Sequence, residues 1–391
     1  MHWQTIDWIA GTILALAWFS RIVESAIGMP HVADVARPEW DLRATPPQSV
    51  PRVSVIVPAR NEEENIRETL VRLLALDYPN YEVIAVDDRS TDRTGKIMDE
   101  VALSGDRRLQ VIHISELPPG WLGKTHAMWT AGDKATGAWL LFTDADVLFR
   151  PDSLRRAVAY AEAEQADHLV LFPRMIMKTA GEKMMVAFFQ VLFLFGHRPW
   201  KVADPKARDH MGVGAFNMVR RSAYESVGTY RALRMEVVDD MKLGKVVKNA
   251  GFVQRNVYGQ DLISLRWAKG AFGMVDNLTK NFFAVLSFQW WRTVAAIVGL
   301  GFLNLGPFLG LFLAHGSARV PYGVALGSMF AIYCGMSFRS PIAPYYFVLH
   351  PISSSLFMYT LWRSMWRTLR DDGIVWRGTK YSLEELRKGM V

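Results

Sequence analysis

The chain has 391 residues, 50 % of them hydrophobic, with 45 Lys+Arg against 38 Asp+Glu and a net charge of +7. That apolar share is too high for a wholly soluble protein and places part of the chain in lipid. The positive balance suits an anionic membrane face or a phosphorylated substrate; nucleic acid is the less favoured partner, since the basic residues are scattered and no nucleic-acid motif accompanies them.

Residues 1–28 read as an N-terminal membrane helix. The stretch is apolar from Trp8 to Phe19, then marked by Arg21 and Glu24. It lacks a basic leader and a small-residue cleavage site, so it reads as retained rather than as a signal peptide. Residues 29–50 are polar and proline-rich and read as a linker.

Residues 51–281 read as an α/β catalytic domain. "VSVIV" (53–57) is a short β-branched strand, and "NEEENIRETLVRLLAL" after it is a helix with Asn61 as N-cap and Ile66, Leu70, Leu73 and Leu74 at helical spacing. "YEVIAVDD" (81–88) repeats the strand and 92–102 the helix; "LQVIHI" and "AWLLFTDAD" are further strands, with a helical stretch near 125–135 between them. Buried strands alternating with helices predict a mostly parallel sheet covered on both faces, with ligands beyond the carboxyl ends of its strands. Within this domain "KMMVAFFQVLFLFGHRPW" (183–200) is too short to span comfortably. It reads as a helix lying in the membrane interface, with a core helix as the alternative.

Residues 282–362 read as a C-terminal membrane region of two to three helices. The runs 293–314 and 320–338 are each long enough to cross a hydrocarbon core of about 30 Å. A third, Ile342 to Trp362, is interrupted by Pro344, His350 and Pro351. The only cysteine, Cys334, lies in the second run, so no intrachain disulfide forms and a cytosolic environment is allowed for the polar part. The tail 363–391 carries Arg363, Arg367, Arg370, Arg377 and Lys380, which the positive-inside rule places in the cytosol. A cytosolic catalytic domain then requires an even number of crossings in between, and the proline-broken run is the one expected to be re-entrant or interfacial.

Three acidic clusters fall at strand ends: Asp87-Asp88, Asp144 with Asp146, and Asp239-Asp240. Any one alone is as readily a solvated turn or a helix cap. Two carboxylates spaced D-x-D repel each other and call for a counter-cation, and hard oxygen ligands suit Mg²⁺ or Mn²⁺ completed by water and substrate phosphates. A nucleoside diphosphate supplies such phosphates. Neither a G-x-x-x-x-G-K-[ST] loop nor a G-x-G-x-x-G after the first strand is present, so neither a P-loop nucleotidase nor a dinucleotide-binding enzyme is indicated.

In order along the chain, "VSVIVPARNEEENI", "VIAVDDRSTDRT", "GWLGKTHAMWTAG", "LLFTDADV", "GAFNMVRRSAYESVG", "VVDDMKLG" and "LRWAKG" resemble the signature segments of family 2 glycosyltransferases of the GT-A fold. The resemblance spans Val53 to Asn281. With membrane helices on both sides, the layout is similar to the lipid-directed branch: ceramide glucosyltransferases and the bacterial carotenoid- and hopanoid-associated enzymes. It implies a metal-dependent hexosyltransferase in the cell inner membrane, its catalytic domain cytosolic, and leaves the oligomeric state open.

Carried over by position, the resemblance puts Pro58, Asn61 and Glu62 in the wall of the nucleotide pocket and Asp87 and Asp88 on the uridine. Glu62 is alternatively a first-turn helix acid. Lys124 approaches the nucleotide or its phosphates, or else is a solvated loop lysine. Asp144 and Asp146 match the D-x-D motif, with Asp146 the direct metal ligand. Asp240 takes the place of the general base, and Asp239 stands where the family often has glutamate. Arg266 and Trp267 end a Q-x-x-R-W segment whose glutamine position is Ile263. That departure weakens a polysaccharide synthase reading, the nearest alternative; a non-catalytic membrane scaffold with this fold is the other. Arg266 suits charge on a departing diphosphate, whereas Trp267 equally suits packing on the membrane side. "IVWRGTKY" (374–381) resembles a C-terminal segment of the lipid-directed members, which implies that Trp376 and Arg377 fold back beneath the site. The implied reaction is inverting transfer from a UDP-sugar to a membrane lipid hydroxyl, with Asp240 removing the acceptor proton.

Overall fold

The computed structural model describes residues 2–41, 50–259 and 261–390. In chain order the first half contains α1 (His2–Gly28), β1 (Val53–Ala59), α2 (Ile66–Leu74), β2 (Tyr81–Asp88), α3 (Thr94–Ala102), β3 (Leu109–Ile114), α4 (Gly123–Lys134), β4 (Trp139–Phe142), β5 (Leu148–Phe149), α5 (Ser153–Ala163), β6 (His168–Phe172) and β7 (Arg174–Met175). The second half contains α6 (Ala180–Gly196), β8 (Asn217–Arg220), α7 (Arg221–Ser226), α8 (Thr229–Ala232), α9 (Asp239–Asn249), β9 (Gln254–Tyr258), β10 (Ile263–Leu265), α10 (Gly270–Val285), α11 (Trp290–Leu313), α12 (Arg319–Ser337), α13 (His350–Arg370), β11 (Gly373–Trp376), β12 (Thr379–Ser382) and α14 (Leu383–Lys388). These elements form two units. One is helical (Met1–His31, Met177–Trp200, Trp267–Ile374) and the other is α/β (Val32–Ile176, Lys201–Arg266, Val375–Val391).

In the α/β unit the main sheet has the order β3-β2-β1-β4-β8-β6-β9 and is parallel except at β8, which runs against both β4 and β6. Alternate side chains of each strand face opposite ways, so both faces need a cover. On one face Val53, Val55, Val57 and Leu141 pack with Ile66, Leu70 and Leu73 of α2. On the other, Ile56, Ile84, Val86, Leu140 and Phe142 pack with Ala127, Met128 and Ala131 of α4. Each fully buried Val, Leu, Ile, Phe or Met among them contributes roughly 1.5–3 kcal/mol. Strand order reverses direction between β1 and β4, which opens a crevice at the carboxyl ends of those strands.

Two local details differ from the sequence expectation. Helix α2 starts at Ile66 with Asn65 as its N-cap position, not at Asn61. Asn61 takes a left-handed φ of 55°; its N–H donates to Ser90 Oγ (3.1 Å) and its Oδ1 accepts the Thr91 N–H (2.8 Å). It ties two loops together instead of capping a helix, a backbone conformation that asparagine tolerates well. Of the segment expected to be a linker, 42–49 lie outside the described residues. The part from Val32 runs along the edge of β9: the Val35 N–H donates to the Tyr258 carbonyl (2.8 Å), and the Tyr258 N–H to that of Ala33 (2.8 Å).

In the helical unit three stretches are long and apolar enough to cross a membrane: Gln4–His31, Trp290–Leu313 and Gly316–Ser337. Small residues allow close approach: a Cβ on Gly11 of α1 would lie 2.8 Å from Pro321 Cγ of α12. The third apolar run is not one broken helix. Pro344 opens a 3-10 segment (Pro344–Leu349) and Pro351 sits in the first turn of α13, where a missing N–H costs nothing. Helix α13 carries Ile352, Tyr359, Trp362, Trp366 and Leu369 as an exposed apolar stripe at helical spacing, with Arg363, Arg367 and Arg370 along its length. His350 is satisfied in the helix core, between Tyr333 Oη and Asn304 Oδ1 at 3.0 Å each. Helix α6 buries Met184, Met185, Val186, Phe188 and Val191, and none of its large apolar side chains is among the exposed ones. Its Glu182, also buried, accepts the Lys178 N–H (2.7 Å) and the Gly270 N–H at the start of α10 (2.8 Å).

Candidate active site

The register of the sheet decides what meets at the crevice. Ala59 lies opposite Asp87 and Ile56 opposite Phe142, so β4 stops short and the chain beyond it turns beside the end of β1. The turn is fixed by its backbone. Thr143 N–H donates to the Ile56 carbonyl (3.0 Å), Asp144 N–H to that of Gly214 (3.0 Å), and Thr143 Oγ1 to that of Ala215 (2.8 Å).

Asp144 is thereby held within 2.8 Å of Lys124 Nζ, and the same ammonium lies 3.4 Å from Asp239 Oδ1. Gly214 connects the third carboxylate, because its N–H donates to Asp240 Oδ2 (2.8 Å). The other oxygen of Asp240 accepts its neighbour's N–H, Met241 (2.8 Å). Asp239, nearly fully buried, also accepts from Tyr230 Oη (3.4 Å). Lys124, read from sequence as a phosphate contact or a loop lysine, therefore pairs with two aspartates, Asp144 from the turn after β4 and Asp239 from the start of α9.

Lys124, Asp239 and Asp240 act on one another's protonation. Burial disfavours the Lys124 charge, but Asp144, Asp239 and Asp240 together raise its pKa well above the usual lysine range. Burial likewise pushes Asp239 up to about 6; Lys124 pulls it back, while Asp240 and Asp144 push it further. Asp240 is raised by burial and by Asp144, against the pull of Lys124 and of the Met241 and Gly214 N–H groups. Asp146 rises to about 7, from burial first and then from Asp144 and Glu62, with Arg377 acting the other way.

Among the described residues no group of three or more His, Cys, Asp or Glu is arranged to hold a metal by itself. Asp144 and Asp146 nonetheless fit a hard cation: they are two close carboxylate donors of the kind that hold Mg²⁺ or Mn²⁺ with water and substrate phosphates completing the shell.

The expected nucleotide residues gather along the ends of β1 and β2. Pro58 is buried in β1. Glu62 N–H donates to Thr94 Oγ1 (2.7 Å), and its carboxylate pairs with Arg377. Asp87 accepts the Ser90 N–H (3.2 Å) and faces His113 Nδ1 (3.2 Å). Asp88 is buried and bound by Arg89 Nε (2.7 Å). A Cβ on Gly95 would lie 2.5 Å from Asp87 Oδ2, so that glycine makes room for the aspartate. Of the two remaining expectations, Arg266 follows β10 and is half-buried, while Trp267 belongs to the helical unit, its ring edge-on to Phe189 with centroids 4.6 Å apart.

Sequence reasoning missed Gly212 and Gly214. A Cβ on Gly214 would lie 2.5 Å from Asp144 Oδ2, and one on Gly212 would collide with the Asp240 carbonyl. The doubled glycine in "GVGAF" was the available signal, since glycine marks close approach of backbone to another group.

Residues 54–228 match the family described as Glycosyl transferase family 2. A 4,4'-diaponeurosporenoate glycosyltransferase of Staphylococcus aureus (strain bovine RF122 / ET3-1) is 22 % identical over 385 residues, covering 95 % of this chain and 100 % of its own. Another enzyme so named, from Staphylococcus haemolyticus (strain JCSC1435), is 24 % identical over 234 residues, 59 % of this chain and 60 % of its own. Among solved structures, a mannosyltransferase from Pyrobaculum calidifontis, in complex with GDP-Man and Mn²⁺, matches with a TM-score of 0.55 and 20 % identity over 93 % of this chain and 99 % of its own. Residues 54–228 thus match a glycosyl transferase family 2 domain, the fold is of GT-A type, and helices long enough to cross a membrane lie on either side of that stretch in the sequence.

Proposed function

We propose that this family 2 glycosyltransferase moves a sugar from a UDP-sugar to a membrane lipid of carotenoid type, with inversion, at the cytosolic face of the inner membrane. The observation that carries the reading is that Asp144 and Asp239 meet on Lys124, with Asp240 tied to the same turn through the Gly214 N–H, at the carboxyl edge of the sheet where such folds bind nucleotides. Asp146 and Asp144 would hold Mg²⁺ or Mn²⁺, which when bound neutralises charge on the nucleoside diphosphate. Asp240, its pKa raised, is suited to take the proton of an acceptor hydroxyl. Lys124 keeps its charge and holds Asp144 and Asp239 in place.

Chain tracing supports this orientation. Helices α11 and α12 supply two crossings between the catalytic residues and the tail, and an even number returns the chain to its starting side. Residues Val375–Val391 belong to the same unit as the aspartates, as that requires. The amphipathic α13, with its aromatic stripe and arginines, suits the membrane surface rather than its interior.

The acceptor has a second reading. Diaponeurosporenoate, in the relatives' names, is by its suffix a carboxylate, and a carboxylate is already an anion that needs no general base. The test is release of UDP or GDP from a panel of donors with extracted lipids, followed by mass spectrometry of the product. A glycosylated lipid is expected; no release with any donor would leave only the scaffold reading.

A further inference from the structure

The chain ends in a segment that the proposed reaction does not use. Strands β11 and β12 are joined by Arg377 and Gly378, both with positive φ, 47° and 80°. A two-residue hairpin turn of this handedness favours asparagine followed by glycine, and arginine at its first position is strained. The turn itself has no use for a guanidinium. What the guanidinium reaches is the rim of the nucleotide crevice: it pairs with the Glu62 carboxylate and donates to the Arg60 carbonyl, just past the end of β1. The segment is pinned at further points of the same rim. Arg60 Nη1 donates to Thr379 Oγ1 (2.9 Å), and Tyr381 Oη accepts the Gly123 N–H at the first turn of α4 (3.0 Å). Leu386 of α14 is buried, and Gly389 closes on Met235, which leads into α9 and its aspartates.

We infer that Arg377 is a donor-binding residue, parked on Glu62 in the free protein and turned onto the diphosphate when a nucleotide enters beside Asp144 and Asp146. The inference rests on the nucleotide-sugar reading above. Glu62 offers one carboxylate, whereas a diphosphate offers several charged oxygens that match the planar guanidinium fork. Arg377 already acts electrostatically on Asp146, so a group bound at that aspartate lies within its field. The competing account is that Arg377 only fastens the tail, in which case its loss disturbs every ligand of the crevice alike.

The full chain in lipid nanodiscs, with Mg²⁺ or Mn²⁺, is titrated with UDP and with uridine, and in parallel with GDP and guanosine, by saturation-transfer NMR. For Arg377→Ala the diphosphate affinity falls by about tenfold or more, the scale of a lost charge-assisted hydrogen bond, while the nucleoside affinity is unchanged. Arg377→Lys, which keeps the charge and the fastening but not the fork, falls in between. Equal losses for diphosphate and nucleoside, or no loss for either, overturn the inference while leaving the donor reading intact. A wild-type chain that binds neither diphosphate overturns the donor reading, and this inference with it.

Discussion

Gly214 donates its N–H to Asp240 Oδ2 at 2.8 Å, while its carbonyl accepts the Asp144 N–H at 3.0 Å. One residue without a side chain thus sets the spacing between Asp144 and Asp240. Gly214→Ala puts a Cβ 2.5 Å from Asp144 Oδ2, and Asp144 has to move. A displacement of this order costs about 10²-fold in turnover. Steady-state rates should fall by that much, with an unchanged unfolding temperature in detergent. A fully active Gly214→Ala enzyme would remove Asp144 from the site.

Lys124→Met leaves Asp239 buried without its cation. Breaking a buried pair by removing one partner costs about 3–5 kcal/mol. The lysine is one-fifth exposed, so the low end is expected. Asp239→Asn in the same chain should restore much of the loss. The double-mutant cycle, read by thermal unfolding, measures the coupling. Simple additivity of the two substitutions is the adverse result.

Asp240→Asn should retain nucleotide binding and lose about 10²–10⁴ in transfer to a hydroxyl acceptor, the usual worth of a general base. Transfer to a carboxylate acceptor needs no such help and should fall far less. Comparing the two acceptor classes with this one variant therefore distinguishes the two acceptor readings. An equal, slight effect on both would take Asp240 out of the chemistry.

Asp146→Ala should abolish the dependence of diphosphate affinity on Mg²⁺ or Mn²⁺ while sparing nucleoside affinity, because the metal contacts phosphate rather than base or ribose. Calorimetric titration with and without the ion reads this directly. A variant as metal-responsive as the wild type contradicts the assignment.

His168, fully buried in β6, accepts from Gln254 Nε2 at Nδ1 (2.6 Å) and pairs with Asn217 through Nε2. Burial pushes its pKa down to about 4, against the contrary pull of Asn217. An unfolded histidine titrates near 6.5, so between about pH 6.5 and 4 the unfolded chain binds a proton that the folded chain refuses. Stability from this group is complete above about pH 6.5 and falls by up to about 3 kcal/mol as pH drops toward 4. His168→Gln should flatten that part of the stability profile. Because Asn217 Nδ2 also donates to the Asp240 carbonyl (3.3 Å), loss of activity should accompany acid loosening.

The acids of the candidate site were legible in the sequence because their signals are local. Asp144 and Asp146 follow an apolar strand within four residues of its end. The glycines were less legible, since what Gly212 and Gly214 make room for lies 26 or more positions downstream at Asp240 and upstream at Asp144. The bounds of α13 were less legible than its apolar run: the helix begins at His350, with Pro351 in its first turn, because proline there starts a helix as readily as proline elsewhere stops one.

The sequence by itself determined the alternation of strands and helices, the apolar stretches and the positions of the acids, because hydrophobic period, length and residue type are properties of neighbours along the chain. Only the tertiary structure decided that Lys124 serves Asp144 and Asp239 together, that Asn61 ties loops instead of capping a helix, and that Arg377 reaches back 315 positions to Glu62. Those pairings depend on sheet register and on where the chain's end docks. No periodicity encodes a contact between side chains that only folding brings within a few ångströms of each other.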